Sequence, residues 1–449
     1  MFLNFINRKN EISFLDERYS SSSFEFIVVY GRRRVGKTEL IKHFLSRKEG
    51  IYLLCDKSGT ELNIGRLKGK ISEKLKEPVI ATNDLEEIFK HISKQKLAVI
   101  FDEFPYLVER DSSFLSVFQR AVDEAKSANL KIIICGSSIT MMESLLGYKN
   151  PLYARKTGHI KLLAISLKEY SEFFPENTIE KNIEFLSIVG GIPYYMEKFS
   201  FNKSAVDNAL SEILNKEGRL YEEIDFLLKE ELREPDVYKS VLLAISSGKT
   251  KSGEIANLSN IKINDIDKYL KTLIRLGLIK REIPITEHKK SKKALYKIDD
   301  NFFHFWFRFA EAFKSDLEIK NMNLVRLKLN KEFNSYVGVV FEDICKEILV
   351  SELSNKNFSI GKWWDKENEI DIAAINNETK EIVFAECKWS DNVDAGKVYD
   401  RLKEKAKIVN WNNENRKEKY VIFGKSFANK TMQKHLRVID LEEIERMLR

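Results

Sequence analysis

Gly31-Arg32-Arg33-Arg34-Val35-Gly36-Lys37-Thr38 fits the phosphate-binding pattern G-x-x-x-x-G-K-[ST] over its full length. Glycines at both ends let backbone amides wrap a polyphosphate, and a helix starting at the end of the loop adds a partial positive charge. Lys37 would reach the β- and γ-phosphates of ATP, and the Thr38 hydroxyl would hold Mg²⁺. The flanks suit that chemistry, because Phe24 to Tyr30 reads as a buried strand and Glu39 to Leu45 as a helix. A chance glycine-lysine turn would lack this order of strand, loop and helix.

About 65 residues later, a plausible distance in an α/β nucleotide-binding sheet, the apolar run Leu97-Ala98-Val99-Ile100-Phe101 ends in Asp102-Glu103. Strands buried on both faces read this way, and acids at their carboxyl ends project into the ligand crevice. Asp102 would bind Mg²⁺ through water and Glu103 would polarise the attacking water, which implies hydrolysis as well as binding. A solvated strand end gives the same two letters, so the phosphate loop upstream is what makes them a site. A further apolar run, Lys131 to Cys135, ends in Gly136-Ser137-Ser138. Ser137 there could sense the γ-phosphate or cap the next helix.

A second group of ionisable residues lies near the other end. Glu342 falls on an amphipathic helix, Glu369 to Ala373 starts a strand, and Val383 to Trp389 forms the next. With a period of two, Glu386 and Lys388 point to the same face. Glu342, Asp371 and Glu386 could therefore surround one Mg²⁺ or Mn²⁺, with Lys388 holding a water or phosphate oxygen in phosphodiester hydrolysis. An isolated Glu-x-Lys says almost nothing. The reading rests on the order of helix Glu, strand Asp, then strand Glu-x-Lys.

The elements that must position these residues give an α/β chain in four parts. Residues 1–175 alternate strands and helices, including Ile51 to Leu54 and His159 to Leu163, which implies a P-loop core with a mostly parallel sheet. Residues 176–235 are helical in period, with a turn at Gly190-Gly191-Ile192-Pro193, and read as a lid. Residues 236–300 read as a winged helix: helices at Val237 to Ser247, Lys251 to Asn257 and Ile263 to Leu276, then strands at Leu278 to Ile283 and Ala294 to Ile298. The hairpin tip, His288-Lys289-Lys290-Ser291-Lys292-Lys293, would present four lysines to a DNA backbone, or else form a solvated loop or a protein contact. Residues 301–449 form the last domain, opening with the run Phe302 to Phe309, either a stacking platform for bases or a helix buried all round.

Composition fits this division. The 449 residues can supply two to four cores, and no apolar run approaches the ~20 residues of a membrane span. No signal peptide is expected. Cys55, Cys135, Cys345 and Cys387 are far apart with no metal-ligand spacing, as for reduced thiols of a cytoplasmic protein. A net charge of +7 permits DNA binding without arguing for it.

The chain resembles the archaeal ATPase family of P-loop proteins, a branch similar to AAA+ and signal-transduction ATPases. The likeness rests on Phe5-Ile6-Asn7-Arg8, Tyr30 to Thr38, Val99 to Phe104, Gly136-Ser137-Ser138 and Pro151 to Gly158, and further on Ile360-Gly361-Lys362-Trp363-Trp364, Glu369-Ile370-Asp371 and Glu386-Cys387-Lys388-Trp389. It implies that the ATPase is joined to a winged helix and to a C-terminal domain resembling PD-(D/E)XK restriction-endonuclease-like nucleases. It also makes Arg155 the candidate arginine finger, since the family segment commonly carries two arginines and here Lys156 replaces the second. A homo-oligomer is left open. Two readings follow: an ATP-hydrolysing, DNA-associated enzyme whose nucleotide state gates the winged helix and nuclease-like domain, or a nucleotide-dependent switch or DNA-binding regulator whose last domain is a scaffold that never cuts.

Overall fold

The computed structural model describes residues 6–148, 150–288, 290–430 and 433–448. Phe5 and Lys289 lie outside the described residues. The chain divides into two compact units: the stretch up to Ala164 together with Ile192–Tyr194, and Ile165–Gly191 together with Tyr195 onward.

The first unit is built on a five-stranded sheet of β1 (Glu25–Gly31), β2 (Gly50–Leu54), β3 (Ala98–Asp102), β4 (Lys131–Gly136) and β5 (Gly158–Leu162) in the order β2-β3-β4-β1-β5. All four pairings are parallel. β1, β3 and β4 are buried at every residue. Their near-continuous apolar sequences follow from cover on both faces, where an alternating pattern would leave polar groups without water. Because the strands run parallel, the segments leaving β1, β3 and β4 emerge at one edge of the sheet, the edge where α/β proteins bind ligands. That edge is anchored by aromatic packing. Phe118 lies within 6.1 Å, centroid to centroid, of Phe26, Phe89, Phe101, Phe104 and Phe114. Phe101 and Phe104 bracket Asp102-Glu103, so the acidic pair leaves the sheet from a fixed base.

The second unit opens with helices at Leu167–Phe173 and Ile179–Val189, and continues with helices at Ala205–Glu212 and Glu223–Glu231. Helices Pro235–Ser246, Ser252–Leu258 and Ile263–Arg275 then precede an antiparallel hairpin of β6 (Ile279–Glu282) and β7 (Leu295–Ile298). The aromatic run is an α-helix, Asn301–Phe305, passing into a π-helical turn, Trp306–Glu311. Phe302, Phe303, Phe305, Trp306, Phe307 and Phe309 are all buried, so this run is core and offers no stacking surface.

A mixed sheet completes the unit, made from β8 (Ser359–Trp364), β9 (Glu369–Asn376), β10 (Glu381–Lys388), β12 (Lys417–Gly424) and β14 (Leu436–Ile439) in the order β14-β12-β10-β9-β8. β8 and β9 pair antiparallel, as do β9 and β10, while β10–β12 and β12–β14 are parallel. The short strands β11 (Val393–Asp394) and β13 (Phe427–Asn429) pair separately. The long helix Met322–Leu353 and the helix Ala395–Ile408 supply Phe341, Ile344, Tyr399 and Leu402 to its cores. The hairpin is tied to this sheet. The Ile285 amide donates to the Lys362 carbonyl at 2.8 Å, and Lys280 bonds both oxygens of Asp343 at 2.8 and 2.7 Å. No helix among the described residues is long and apolar enough to cross a membrane.

Candidate nucleotide site and a second acidic cluster

The segment after β1 turns sharply before its helix, Lys37–Leu45, begins. A Cβ on Gly31 would lie 2.4 Å from the Leu162 carbonyl oxygen, so only glycine fits beside β5. Gly36 takes φ 97° and Arg34 φ 66°, left-handed conformations that coil the loop into a cradle. Val35 is buried, and Arg32, Arg33 and Arg34 are half-buried. Lys37 is buried, and its ammonium donates to the carbonyls of Gly31 (3.0 Å) and Arg32 (2.9 Å). A buried ammonium drawn back onto neutral carbonyls suits a group that exchanges these partners for phosphate oxygens. Arg8 supports the loop from outside, donating to the carbonyls of Leu163 (2.7 Å) and Val35 (3.3 Å).

The Thr38 hydroxyl donates to Asp102 Oδ2 at 2.9 Å. Asp102 is 1% exposed and also accepts from the Tyr52 hydroxyl at 2.6 Å. Burial and this contact together push the Tyr52 phenol well above its usual range, so it remains a donor. Thr38 and Asp102 are thus an oxygen pair of the kind that holds Mg²⁺ beside a nucleoside triphosphate, and the residues present fit that group. Glu103 has φ 54°, a strained value for a residue with a Cβ. The Ser137 hydroxyl donates to Glu103 Oε1 at 2.6 Å, and the Ser137 amide to Oε2 at 3.4 Å. Capping of the helix Ile139–Leu145 falls to Ser138, whose hydroxyl accepts from the Met141 amide.

Arg155 ends a turn of 3₁₀-helix, Tyr153–Arg155, and grips Asp123: Nε is 2.9 Å from each carboxylate oxygen and Nη2 is 2.7 Å from Oδ2. A further bond runs from its guanidinium to the Pro151 carbonyl. Burial acts to raise the Asp123 carboxyl, but Arg155 and Lys126 hold it below the usual range.

In the second unit, carboxylate oxygens of Glu342, Glu369 and Asp371 lie within 4.8 Å of one another. The Asp371 Oδ2 accepts from the Cys387 amide at 2.8 Å, which locks β9 to the end of β10. Burial first, then the charges of Glu386 and Glu342, push Asp371 up to about 7. Three ammonium groups face these acids. Lys362, whose side chain is 6% exposed, bonds Glu342 and lies 3.7 Å from Glu369. Glu386 is held by Lys388 at 2.9 Å and by Lys405 at 3.0 Å. Burial opposes the charge of Lys388, yet Glu386 outweighs it and raises the group. The oxygens that gather within 4.8 Å are thus those of Glu342 and Asp371 with Glu369, while Glu386, whose charge also acts on Asp371, is paired with Lys388 and Lys405. Glu369 was not among the expected ligands, although it lies two residues before Asp371 on the same strand. No local pattern marked Lys405 or Tyr52, and Arg8 and Lys362, although they fall in segments that carry the family likeness, had no role assigned to them.

Residues 5–199 match a domain described as an ATPase domain predominantly from Archaea. Residues 306–406 match a domain described from archaeal and bacterial proteins of unknown function. An uncharacterized protein of Methanocaldococcus jannaschii is 39% identical over 437 residues, 95% of this chain and 97% of its own. An uncharacterized ATP-binding protein of the same organism is 51% identical over 45 residues, 10% of this chain and 76% of its own. The Walker-type ATPase of Pyrococcus abyssi shares the fold with a TM-score of 0.51 at 21% identity, covering 68% of this chain and 96% of that one. The chain therefore belongs to the archaeal family represented by the full-length Methanocaldococcus relative, with an ATPase domain in its first half.

Proposed function

We propose that the protein binds MgATP at residues 31–38 and hydrolyses it, with Thr38 and Asp102 holding Mg²⁺, Lys37 holding the β- and γ-phosphates, and Glu103 polarising the attacking water. The observation that carries this reading is the 2.9 Å contact between Thr38, in the first turn of the helix after β1, and Asp102, at the end of β3, beside a buried Lys37. Bound Mg²⁺ would supply charge neutralisation at the phosphates. Glu103 must exchange its Ser137 partner for water, and Ser137 is then free to report on the γ-phosphate. Arg155 is the proposed arginine finger, held in reserve by Asp123. Phosphate release from ATP by the purified chain tests the reading, and its absence in Lys37→Ala and Glu103→Gln assigns the activity to this site.

For the second unit we propose association with DNA through a winged helix at 236–300, and a Mg²⁺- or Mn²⁺-dependent nuclease site in a restriction-endonuclease-like domain at 301–449. The grouped oxygens of Glu342, Glu369 and Asp371 support a cation site. The alternative, a scaffold domain in a nucleotide-dependent switch, is favoured by Lys362, Lys388 and Lys405, which already counter these acids. Plasmid DNA incubated with Mn²⁺ separates the two. Cleavage that vanishes in Glu386→Ala supports the nuclease, and intact DNA with and without ATP supports the scaffold.

A further inference from the structure

Ile192, Pro193 and Tyr194 pack with the first unit, although the chain on both sides of them belongs to the second. The Arg34 guanidinium lies over the Tyr194 ring, 4.2 Å from its centroid. Arg34 stands in the middle of the phosphate loop at φ 66°, a conformation that needs support from outside the backbone. Pro193 lies 3.9 Å from where a Cβ on Gly36 would sit, so the same tripeptide also touches the loop's end.

The neighbouring residues are fixed differently. Tyr195 is fully buried in the second unit, where its hydroxyl donates to Glu223 at 2.8 Å and its ring lies 4.5 Å from Phe302. Upstream, a Cβ on Gly191 would meet the Ile165 carbonyl oxygen at 1.9 Å, and the Gly190 carbonyl accepts from the buried Tyr170 hydroxyl at 2.6 Å. Consecutive side chains, Tyr194 and Tyr195, are therefore anchored in different units with one peptide bond between them.

We infer that Tyr194 is a positioning residue of the phosphate loop, and that the Arg34–Tyr194 stack carries nucleotide state along the chain into the second unit. The inference rests on the ATP-binding reading. When loop amides turn toward a phosphate, the Arg34 backbone moves with them, and its stack on Tyr194 is kept or released. Either change pulls directly on Tyr195 and its partners.

The tryptophans make this measurable. All five (Trp306, Trp363, Trp364, Trp389 and Trp411) lie in the second unit, whereas the phosphate loop lies in the first. Intrinsic emission of the full chain, titrated with MgADP or MgATP, thus reports what reaches the second unit, while calorimetry measures binding itself. The wild-type protein should bind nucleotide and change its emission. Tyr194→Ala should still bind, about two- to thirtyfold more weakly because the cation–π stack is gone, but without the emission change. Tyr194→Phe, which keeps the ring, should retain both. Arg34→Met examines the same stack from its other side if Tyr194→Ala fails to fold, and should likewise uncouple binding from emission. A full emission change in Tyr194→Ala or Arg34→Met overturns the inference, as does wild-type binding with no change at all. A wild-type chain that binds no nucleotide overturns the ATP-binding reading instead.

Discussion

A buried ammonium is tolerated only where oxygens surround it, and Lys37 has the Gly31 and Arg32 carbonyls to itself until phosphates arrive. Lys37→Ala should cost ATP affinity about 100-fold or more, since charged hydrogen bonds contribute roughly 1.5–3 kcal/mol each. Equilibrium binding of ATP measures this, and unchanged affinity would remove Lys37 from the cradle. Glu103→Gln should bind ATP normally and lose about 10²- to 10⁴-fold in turnover, because an amide cannot accept the proton of water. A glutamine variant turning over at the wild-type rate means that another group is the base. Arg155 is the contrasting case. Its grip on Asp123 is sufficient reason for its half-buried place, so a catalytic role demands that the pair open. If it does, Arg155→Ala should lower turnover roughly 10³-fold while leaving ATP affinity intact. Equal turnover in Arg155→Ala would leave it as the partner of Asp123.

At the scale of elements, the hairpin between β6 and β7 joins two expectations. Its base is tied to β8 through Ile285 and to the long helix through Lys280, so its tip is held on a rigid stem. Lys293 at the tip pairs with Glu287 at 2.6 Å, whereas Lys290 and Lys292 are exposed. Replacing Lys290, Lys292 and Lys293 with Ala should weaken DNA binding equally for all sequences and flatten its salt dependence by about 0.9 for each phosphate no longer neutralised. An unaltered slope would turn the hairpin toward protein or solvent. His304 gives the adjoining aromatic helix a pH signature. Burial first, then the Arg308 cation, lowers it from 6.5 to about 4. The native state thus binds fewer protons than the unfolded chain between these values, and stability falls as pH drops through that window. At 1.36 kcal/mol per unit the loss reaches about 3 kcal/mol. Urea unfolding at pH 7 and pH 5 should show a smaller difference in His304→Phe than in wild type, and equal differences would exclude His304 as the source. Much of this was legible beforehand where burial alone sets the pattern: β1, β3 and β4 are continuous apolar runs, Asp102 ends β3, Ser137 follows β4, and the loop after β1 leads to Lys37. Register and long-range pairing were not. The meeting of Glu369 with Glu342, and the intrusion of Lys362, depend on how β8 and β9 pair and how a helix crosses them, which no local period encodes.

Across the whole molecule, the two candidate sites differ in how their charge is balanced. The loop at 31–38 concentrates positive groups for a polyanion. The cluster in the second unit sets Glu342, Glu369, Asp371 and Glu386 against Lys362, Lys388 and Lys405, with Asp371 pushed up to about 7. Such a cluster is close to neutral, so a divalent cation gains by replacing a proton on Asp371 and by freeing Glu342 from Lys362. Binding to the native state alone stabilises it by RT ln(1 + [L]/Kd), about 2.7 kcal/mol at one hundred times Kd. Millimolar Mn²⁺ should therefore raise the melting temperature of the nucleotide-free full chain. Asp371→Ala should abolish the rise, whereas Asp102→Ala, which disables the first site, should leave it. Lys362→Met removes the competing ammonium at similar length, so the same Mn²⁺ concentration should produce a larger rise than in wild type. A rise that survives Asp371→Ala would assign the ion elsewhere. No rise in wild type or in Lys362→Met would leave three lysines and four acids as an ion-pair network that holds the helix Met322–Leu353 to β8 and β9, and the second unit would then be a scaffold moved by the ATPase rather than an enzyme directed by it.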